Sequence, residues 1–338
     1  MDLFDILNFI TSAFNWKFAF FLIPVFLIMM LDTLGWKLLI GRHRFAPAFL
    51  TLLQLHMGTE SLLSSIPGGF ALTDPAKIFY LQRYNALHPM DSLGSLVARR
   101  WMIGISQLLF ILVGIFFAFT TMNSQPLKIP GLGENMIFIV IGAILFIFIL
   151  VLIARSFSKG KIGTSFIVFL ERIPLHSVKR WAYKHQAVFQ NADEYFRLLG
   201  NKNKSYYLLL VGIYFLTWLM NAAETYALAA YFNMSVSISQ AVCIEVLLSI
   251  VTLSAFFLPS GAVVKDLGYI GIFSGLAVST DMHTVMSFIL FKRLITLSWI
   301  AIGYVLLAKI SAYSFFRRPT TRKEISSEAS VDPSPSIL

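Results

Sequence analysis

Long uncharged apolar runs alternate with short polar segments along the chain. Residues 135–154 carry no charge over 20 positions; as a helix at about 1.5 Å per residue this run matches a hydrocarbon core of roughly 30 Å. Runs 101–121 and 205–223 are equally clean, whereas 18–31 and 294–308 are shorter and continue into mixed sequence. We therefore predict an all-α, polytopic membrane helical bundle with five spanning helices.

Two further segments, about 45–90 and 236–282, share a different pattern: a semi-polar helix, a Pro-Gly break and a second short helix. The breaks contain Pro67, Gly68 and Gly69 in the first segment and Pro259 and Gly261 in the second. Proline removes a backbone donor and glycine weakens a helix, so each break leaves polar backbone that hydrocarbon cannot satisfy. We predict two re-entrant hairpins, while a full crossing by residues 45–66 remains the alternative.

The two halves of the chain correspond at a constant offset of 192 residues. The corresponding pairs are Asp32 and Glu224, Thr33 and Thr225, Pro67 and Pro259, Gly69 and Gly261, and Asp74 and Asp266. With one inserted residue, Arg99-Arg100 also aligns with Lys292-Arg293. Because one register serves all these positions, we favour an internal duplication over coincidence. We place repeat 1 at about 17–121 and repeat 2 at about 205–310.

The net charge of +10 is concentrated in a few segments. Residues 155–204 contain ten Lys or Arg against three acidic residues, and the C-terminal tail adds a second basic group. We interpret both as cytoplasmic charge facing anionic lipid headgroups, which we favour over a nucleic-acid site. This predicts a multi-pass protein of the cytoplasmic (inner) membrane, in which residues 155–204 form amphipathic helices on the inner leaflet.

The same assignment orients the hairpins. The first enters from the cytoplasmic side and the second from outside, because the linking helix 135–154 reverses one repeat relative to the other. We expect an inverted-topology repeat whose broken tips meet near the membrane midplane. Residues 1–323 then form one membrane domain, and residues 324–338, rich in Ser and Pro, form a disordered cytoplasmic tail.

Charged residues within the apolar segments are costly, by about 2.5–3.5 kcal/mol each at a helix centre. For Asp32 and Arg99 we favour an interfacial position from which the side chain reaches water. The remaining charged residues are Glu60, Asp74, Lys77, Arg100, Glu224, Glu245, Lys265, Asp266, Lys292 and Arg293. For the charges that directly follow the two breaks we favour function, since glycines let backbone approach a ligand and helix starts hold anionic groups.

His56 lies four residues before Glu60, so both share one helix face. We favour an ordinary polar contact over a proton relay, with Glu245 as a further candidate for charge relay. The six histidines are too scattered for a zinc site. No nucleotide-binding loop or cofactor fingerprint is present in the sequence, so neither a metal nor a cofactor is predicted.

The residues at the two breaks resemble a known family, the flippase-like membrane region of lysylphosphatidylglycerol synthases. Its first signature resembles Pro67-Gly68-Gly69 followed by Asp74 and Lys77. The second resembles Pro-Gly-Gly-x-Gly-x-Arg-Glu and corresponds to residues 259–266, which depart from it at several letters. Trp36-Lys37-Leu38-Leu39 is similar to a third family stretch, so the resemblance covers about 30–310.

This resemblance implies movement of an anionic or modified lipid, of phospholipid or polyprenyl-phosphate type, between leaflets. Since this sequence lacks the synthase half of larger members, aminoacyl transfer is not expected. We hypothesise that four basic residues hold the lipid phosphate and three acidic residues balance charge or carry a proton. They are Lys77, Lys265, Arg100 and Arg293, with Asp74, Asp266 and Glu60. The alternatives are a membrane-embedded lipid-modifying enzyme and a non-transporting accessory protein of a lipid or glycan pathway.

Overall fold

A computed structural model describes most of the two predicted repeats. The described residues are 16–41, 46–66, 69–85, 87, 89–122, 203–254, 261–275 and 281–316, with the single positions 168, 172, 180, 193 and 197. The helices of these ranges are α1 Trp16–Ile40, α2 Phe49–Ser65, α3 Phe70–Asn85, α4 Pro89–Met122, α5 Lys204–Tyr231, α6 Ile238–Ser254, α7 Gly261–Gly275 and α8 Met282–Phe316. The described chain contains no strand, and the all-α membrane bundle is confirmed.

Four of these helices are long and apolar enough to cross a membrane. They contain Lys17–Ile40, Asp91–Phe117, Lys204–Tyr231 and Met282–Ile310. Each contains one predicted span and extends it into mixed sequence that carries charged residues. The fifth predicted span, 135–154, lies outside the described residues, as do nearly all of 155–204 and the tail 324–338.

The four short helices occupy the two predicted hairpins. α2, α3, α6 and α7 have 17, 16, 17 and 15 residues, so they extend only about 23–26 Å against a core of roughly 30 Å. Gly69 directly precedes α3 and Gly261 begins α7, whereas Pro67, Gly68 and Pro259 lie outside the described residues. The end of α2 at Ser65, with Ile66 extended and Gly69 in a turn, confirms the break in the first hairpin. The second predicted break falls within residues 255–260, outside the described residues, and re-entry itself stays a prediction.

Gly69 is required by close packing at the first break. A Cβ atom at this position would collide with the backbone carbonyl oxygen of Leu62 in α2. The Gly69 amide also donates to the Ile66 carbonyl at 2.9 Å, so the chain turns tightly before α3 begins. Only a residue without a side chain lets the two hairpin helices approach so closely.

Equivalent helices of the two repeats run in opposite directions. At one end of the α1–α5 pair, the Tyr206 hydroxyl donates to the Leu38 carbonyl at 2.8 Å. At the other end, the rings of Phe21 and Tyr231 lie 5.4 Å apart. The start of each helix therefore meets the end of the other, which is the antiparallel arrangement that an inverted repeat requires.

The other long helices complete this arrangement. α4 runs parallel to α5, since Ser106 donates to the Val211 carbonyl at 3.0 Å and Phe110 stacks on Trp218 further along both helices. α8 runs parallel to α1, where Phe26 stacks on Trp299. One pair of long helices thus runs in one direction and the other pair in the opposite direction.

The repeats also interlock. α8, the last helix of repeat 2, crosses α2 of repeat 1, and α4 crosses α6 in the same way. Glycine allows both crossings: the Cβ of Leu307 lies 2.9 Å from where a Gly58 Cβ would be, and the carbonyl of Gly114 contacts Cys243 at 3.6 Å. Small residues permit this close helix packing in membranes.

Candidate functional site

Asp32 and Arg99 form a buried ion pair between α1 and α4. Arg99 donates from Nε to Oδ1 at 2.7 Å and from Nη2 to Oδ2 at 2.6 Å, and Arg99 is 2% exposed. The expectation that Arg99 reaches interfacial water is wrong, because Asp32 neutralises it inside the bundle, whereas the Asp32 side chain keeps 19% exposure. Two parallel hydrogen bonds of this kind are the strongest ion-pair geometry that arginine makes.

His56 lies between this pair and Glu60. Its Nε2 is 3.4 Å from Asp32 Oδ2 and its Nδ1 is 3.5 Å from Glu60 Oε1, and the residue is 1% exposed. Trp36 lies beside the cluster, with its ring 6.0 Å from the Arg99 guanidinium carbon. The structure thus places His56 inside the bundle between two carboxylates, and the favoured polar contact stays a prediction.

Lys77 belongs to the same cluster. Its Nζ donates to Glu60 Oε1 at 2.8 Å, and the residue is 0% exposed. It also lies 5.6 Å from the centre of the Trp36 ring. Lys77, expected to contact a headgroup, is therefore behind Glu60, and Glu60 is the member of the pair that faces open space.

Repeat 2 contains a corresponding cluster with different chemistry. The Lys292 ammonium group donates to Glu245 Oε1 at 3.0 Å and to the Thr225 hydroxyl at 2.8 Å. The hydroxyl groups of Thr225 and Tyr269 also donate to Glu245, the latter at 2.9 Å. Lys292 further contacts the Tyr269 hydroxyl and lies 4.9 Å from its ring centre. Glu245 Oε1 thus accepts from three neighbours, one of which is the Lys292 ammonium group that neutralises its charge.

Two equivalent Asp–Arg pairs lie beside these clusters. Arg100 contacts Asp74 at 3.3 Å, and Arg293 donates from Nε to Asp266 at 3.0 Å. The four side chains are 31–46% exposed. These residues occupy equivalent positions of the two predicted repeats, so the contacts support the sequence register at the level of individual side chains.

One cavity of about 860 Å³ connects the two clusters. Its charged lining residues are Glu60, Asp74, Arg100, Glu224, Glu245, Lys265, Asp266, Lys292 and Arg293. Apolar side chains line other parts of the cavity, including Val25 and Met29 of α1 and Trp299 of α8. The cavity lining therefore combines many charged residues with hydrocarbon-like surface.

Two charged residues of this lining differ from the rest. Lys265 is exposed within the cavity, and among the described residues no hydrogen bond or ion pair holds its ammonium group. Glu224 is 5% exposed, and its carboxylate likewise has no such partner in the described part of the chain. Lys265 and Glu224 are therefore available to a ligand.

The predicted site residues fall into three groups. Gly69 and the predicted residues Glu60, Asp74, Arg100, Glu245, Lys265, Asp266 and Arg293 line the cavity. Lys77 and His56 form the layer behind Glu60. Pro67, Gly68 and Pro259 lie outside the described residues, and Gly261 is the first residue of α7.

Sequence reasoning missed the role of Tyr269. Tyr269 occupies the repeat position of Lys77, and Thr252, which also lines the cavity, occupies that of Glu60. Extending the 192-residue offset through both hairpins would have identified Tyr269 as a member of the second cluster. The second cluster differs from the first because the hydroxyl groups of Thr252 and Tyr269 stand where repeat 1 has the ion pair of Glu60 and Lys77.

Comparison with known proteins identifies the membrane region. Residues 1–303 match the model of a family described as "Lysylphosphatidylglycerol synthase TM region". The chain belongs to this family. The comparisons with curated proteins and with solved structures gave no match. Family membership and the four apolar helices together make this a multi-pass membrane protein with a membrane-lipid-related function.

Proposed function

We propose that this protein moves a lipid carrying a phosphate, of phospholipid or polyprenyl-phosphate type, between the leaflets of the membrane. The observation that carries this proposal is the cavity shared by both repeats, whose lining combines charged residues with apolar side chains. A lipid combines the same two kinds of chemistry, because its headgroup needs polar partners and its tails do not.

Lys265 is the residue we assign to the phosphate. Arg100 and Arg293 flank the same cavity but are each held by an aspartate. Lysine is a compact point charge that binds phosphate without a fixed geometry. The two arginines provide a second, weaker attraction, since their partners Asp74 and Asp266 offset most of their charge.

Lys77 has a positioning role in this proposal. Its ion pair with Glu60 fixes the Glu60 carboxylate at the cavity wall, next to the first break. A buried lysine of this kind cannot reach a headgroup without leaving Glu60 unpaired. The acyl or isoprenoid chains remain against Val25, Met29 and Trp299, or in the surrounding bilayer.

Movement between leaflets follows from the arrangement of the repeats. Rocking of one inverted repeat against the other opens a shared cavity first to one side and then to the other. In this protein the cavity lining includes residues of both repeats. Such a motion therefore changes the side of the membrane to which the cavity opens, while the lipid headgroup stays against the charged residues.

The first test replaces Lys265 by glutamine. The purified protein is reconstituted in liposomes, and the leaflet distribution of fluorescent phosphatidylglycerol and of a labelled polyprenyl phosphate is followed by external quenching. Loss of a charged hydrogen bond of about 1.5–3 kcal/mol predicts a fall in headgroup affinity of roughly 10- to 100-fold. Lys309→Gln is the matched control, because Lys309 is exposed on α8 and does not line the cavity.

The same experiment separates the alternatives. Equal transport by Lys265→Gln and Lys309→Gln would remove the phosphate assignment. If wild type moves neither lipid but forms a chemically altered lipid in detergent, where leaflets do not exist, the membrane-embedded enzyme is the correct function. The labelled lipid that the wild-type protein moves shows whether its substrate is a phospholipid or a polyprenyl phosphate.

A further inference from the structure

Glu224 is a buried acid that the proposed transport does not yet use. It lies on α5 within a membrane-spanning helix, is 5% exposed and lines the cavity. No hydrogen bond or ion pair to Glu224 exists among the residues that the structure describes. A buried carboxylate without a partner favours its neutral, protonated form unless charges nearby compensate it.

Three elements bring charged or titratable groups to Glu224. Glu245 comes from α6, Lys265 and Tyr269 from α7, and Lys292 from α8. Lys292 is already bound to Glu245, Thr225 and Tyr269. Lys292, the stronger of the two positive influences on Glu224, is thus held by these partners. Lys265 is the second cation beside Glu224, and it is the one assigned to the phosphate.

The other charged residues of these helices are held in pairs. α4 carries Arg99, which is bound to Asp32 of α1, and Arg100, which contacts Asp74. Arg293 of α8 is bound to Asp266 of α7. Beyond these pairs, the charge beside Glu224 is set by two acids, Glu224 and Glu245, and two bases, Lys265 and Lys292. With all four ionised, this part of the cavity has no net charge.

Binding of a phosphodiester upsets that balance. The lipid phosphate brings one negative charge and occupies Lys265, so Glu224 loses part of its compensating positive charge and gains a like charge nearby. Both changes favour the protonated carboxyl group. The proton and the phosphate therefore strengthen each other's binding, and by linkage the effect is equal in both directions.

We infer that Glu224 takes up one proton together with the lipid phosphate, so that the protein is a proton–lipid symporter. This inference rests on the proposed lipid transport and adds its energy source. On one side, a proton from water forms an O–H bond with the Glu224 carboxylate; on the other, that bond breaks and the proton returns to water. The headgroup and proton cross together with no net charge.

The test follows the leaflet distribution of fluorescent phosphatidylglycerol in proteoliposomes carrying a pH difference of one unit, with the membrane potential held at zero by potassium and valinomycin. One-to-one coupling drives the leaflet ratio towards about tenfold, since one pH unit is tenfold in proton activity. At equal pH, an imposed membrane potential leaves the ratio unchanged. An internal pH dye reports proton entry when a lipid gradient is imposed instead.

Glu224→Gln is the decisive variant, because its side chain has the shape of protonated glutamate and cannot release the proton. Its leaflet ratio does not follow the pH difference, whatever its absolute rate. Asp281→Asn is the matched control: Asp281 caps α8 outside the cavity, asparagine is an equally good cap, and the response to pH is retained.

Each outcome is informative. Wild-type transport that ignores the pH difference overturns the symport inference and leaves lipid transport standing. A Glu224→Gln variant that still follows the pH difference, or wild-type transport driven by the potential alone, also overturns it. No lipid movement by wild type under any condition overturns the proposed function itself. The wild-type measurements decide the question even if the variant does not fold.

Discussion

Adjacent arginines on α4 have different surroundings. Arg99 points into the bundle and is 2% exposed, where it forms two hydrogen bonds to Asp32. Arg100, about 100° further round the helix, faces the cavity and a single aspartate, Asp74. These two adjacent residues therefore differ in role: Arg99 stabilises the fold, and Arg100 faces the cavity.

We expect Arg99→Met and Arg100→Met to differ in stability. Removing Arg99 leaves Asp32 buried beside Glu60 without its main partner, which costs about 3–5 kcal/mol. Removing Arg100 breaks a partly exposed pair worth about 1 kcal/mol or less. Denaturant unfolding in detergent measures both free energies of unfolding.

A second variant checks the cause. Adding Asp32→Asn to Arg99→Met removes the unpaired charge, so part of the lost stability returns. Equal losses in the two single variants, or no recovery in the double variant, would show that the Asp32–Arg99 pair is not what stabilises this cluster.

At the residue scale, sequence identifies intramembrane charges but not their partners. Asp32 and Arg99 are far apart in the chain, and taken singly each looked interfacial, because nothing local shows that a distant residue will neutralise it. Asp74 and Asp266 were easier to interpret, since their positions repeat. Glu245 has no acidic counterpart, as Leu53 occupies its repeat position.

The helix elements are joined by glycine contacts between repeats. Gly303 on α8 packs against α2, where a Cβ would lie 2.6 Å from the backbone oxygen of Met57. Gly58 on α2 packs against Leu307 in the same crossing. The hairpin helix of one repeat therefore depends on the last helix of the other.

Gly303→Ala is expected to destabilise the bundle by about 1–3 kcal/mol, because the added methyl group meets backbone that cannot move aside. Gly104→Ala is the control: Gly104 lies within α4, another long helix, and a Cβ there has no neighbour within 4 Å. Alanine at that position should be neutral or stabilising, since glycine costs about 1 kcal/mol in a helix. Thermal unfolding in detergent compares the two, and a larger loss at Gly104 would contradict the crossing.

At the element scale, Pro-Gly breaks predicted the four short helices, because backbone chemistry acts locally. The crossing of α8 over α2 could not be predicted, since a glycine within an apolar run has no signature that identifies its partner. The extension of α1 to Ile40 also exceeded the clean apolar run, because buried Asp32 and Trp36 are accommodated by tertiary contacts.

At the scale of the whole molecule, equivalent helices of the two repeats run in opposite directions. Antiparallel packing of α1 on α5, with the shared register of Asp74–Arg100 and Asp266–Arg293, supports two hairpins that face opposite ways. The offset predicted which residues correspond. It could not predict that the Tyr269 hydroxyl binds Glu245 and Lys292, because the partners of a side chain depend on residues that are distant in the chain.

If the two hairpins enter the membrane from opposite sides, we expect the residues just before each hairpin to be labelled from opposite sides. Ala48 precedes α2, Ser235 precedes α6, and both are exposed. In a Cys243→Ala background, Ala48→Cys should react with a membrane-impermeant thiol reagent only from the cytoplasmic side and Ser235→Cys only from the other. Right-side-out and inside-out vesicles provide the two measurements, and labelling of both positions from one side would contradict the inverted repeat.

The interlocked crossings also set an order of assembly. α2 is synthesised early, yet the glycine-containing helix that packs across it, α8, comes from the other end of the described chain. Until translation reaches α8, the first hairpin lies in the bilayer without its main neighbour, and the polar groups around Gly58 face lipid or a chaperone. The first hairpin therefore reaches its final packing only after the ribosome has delivered α8.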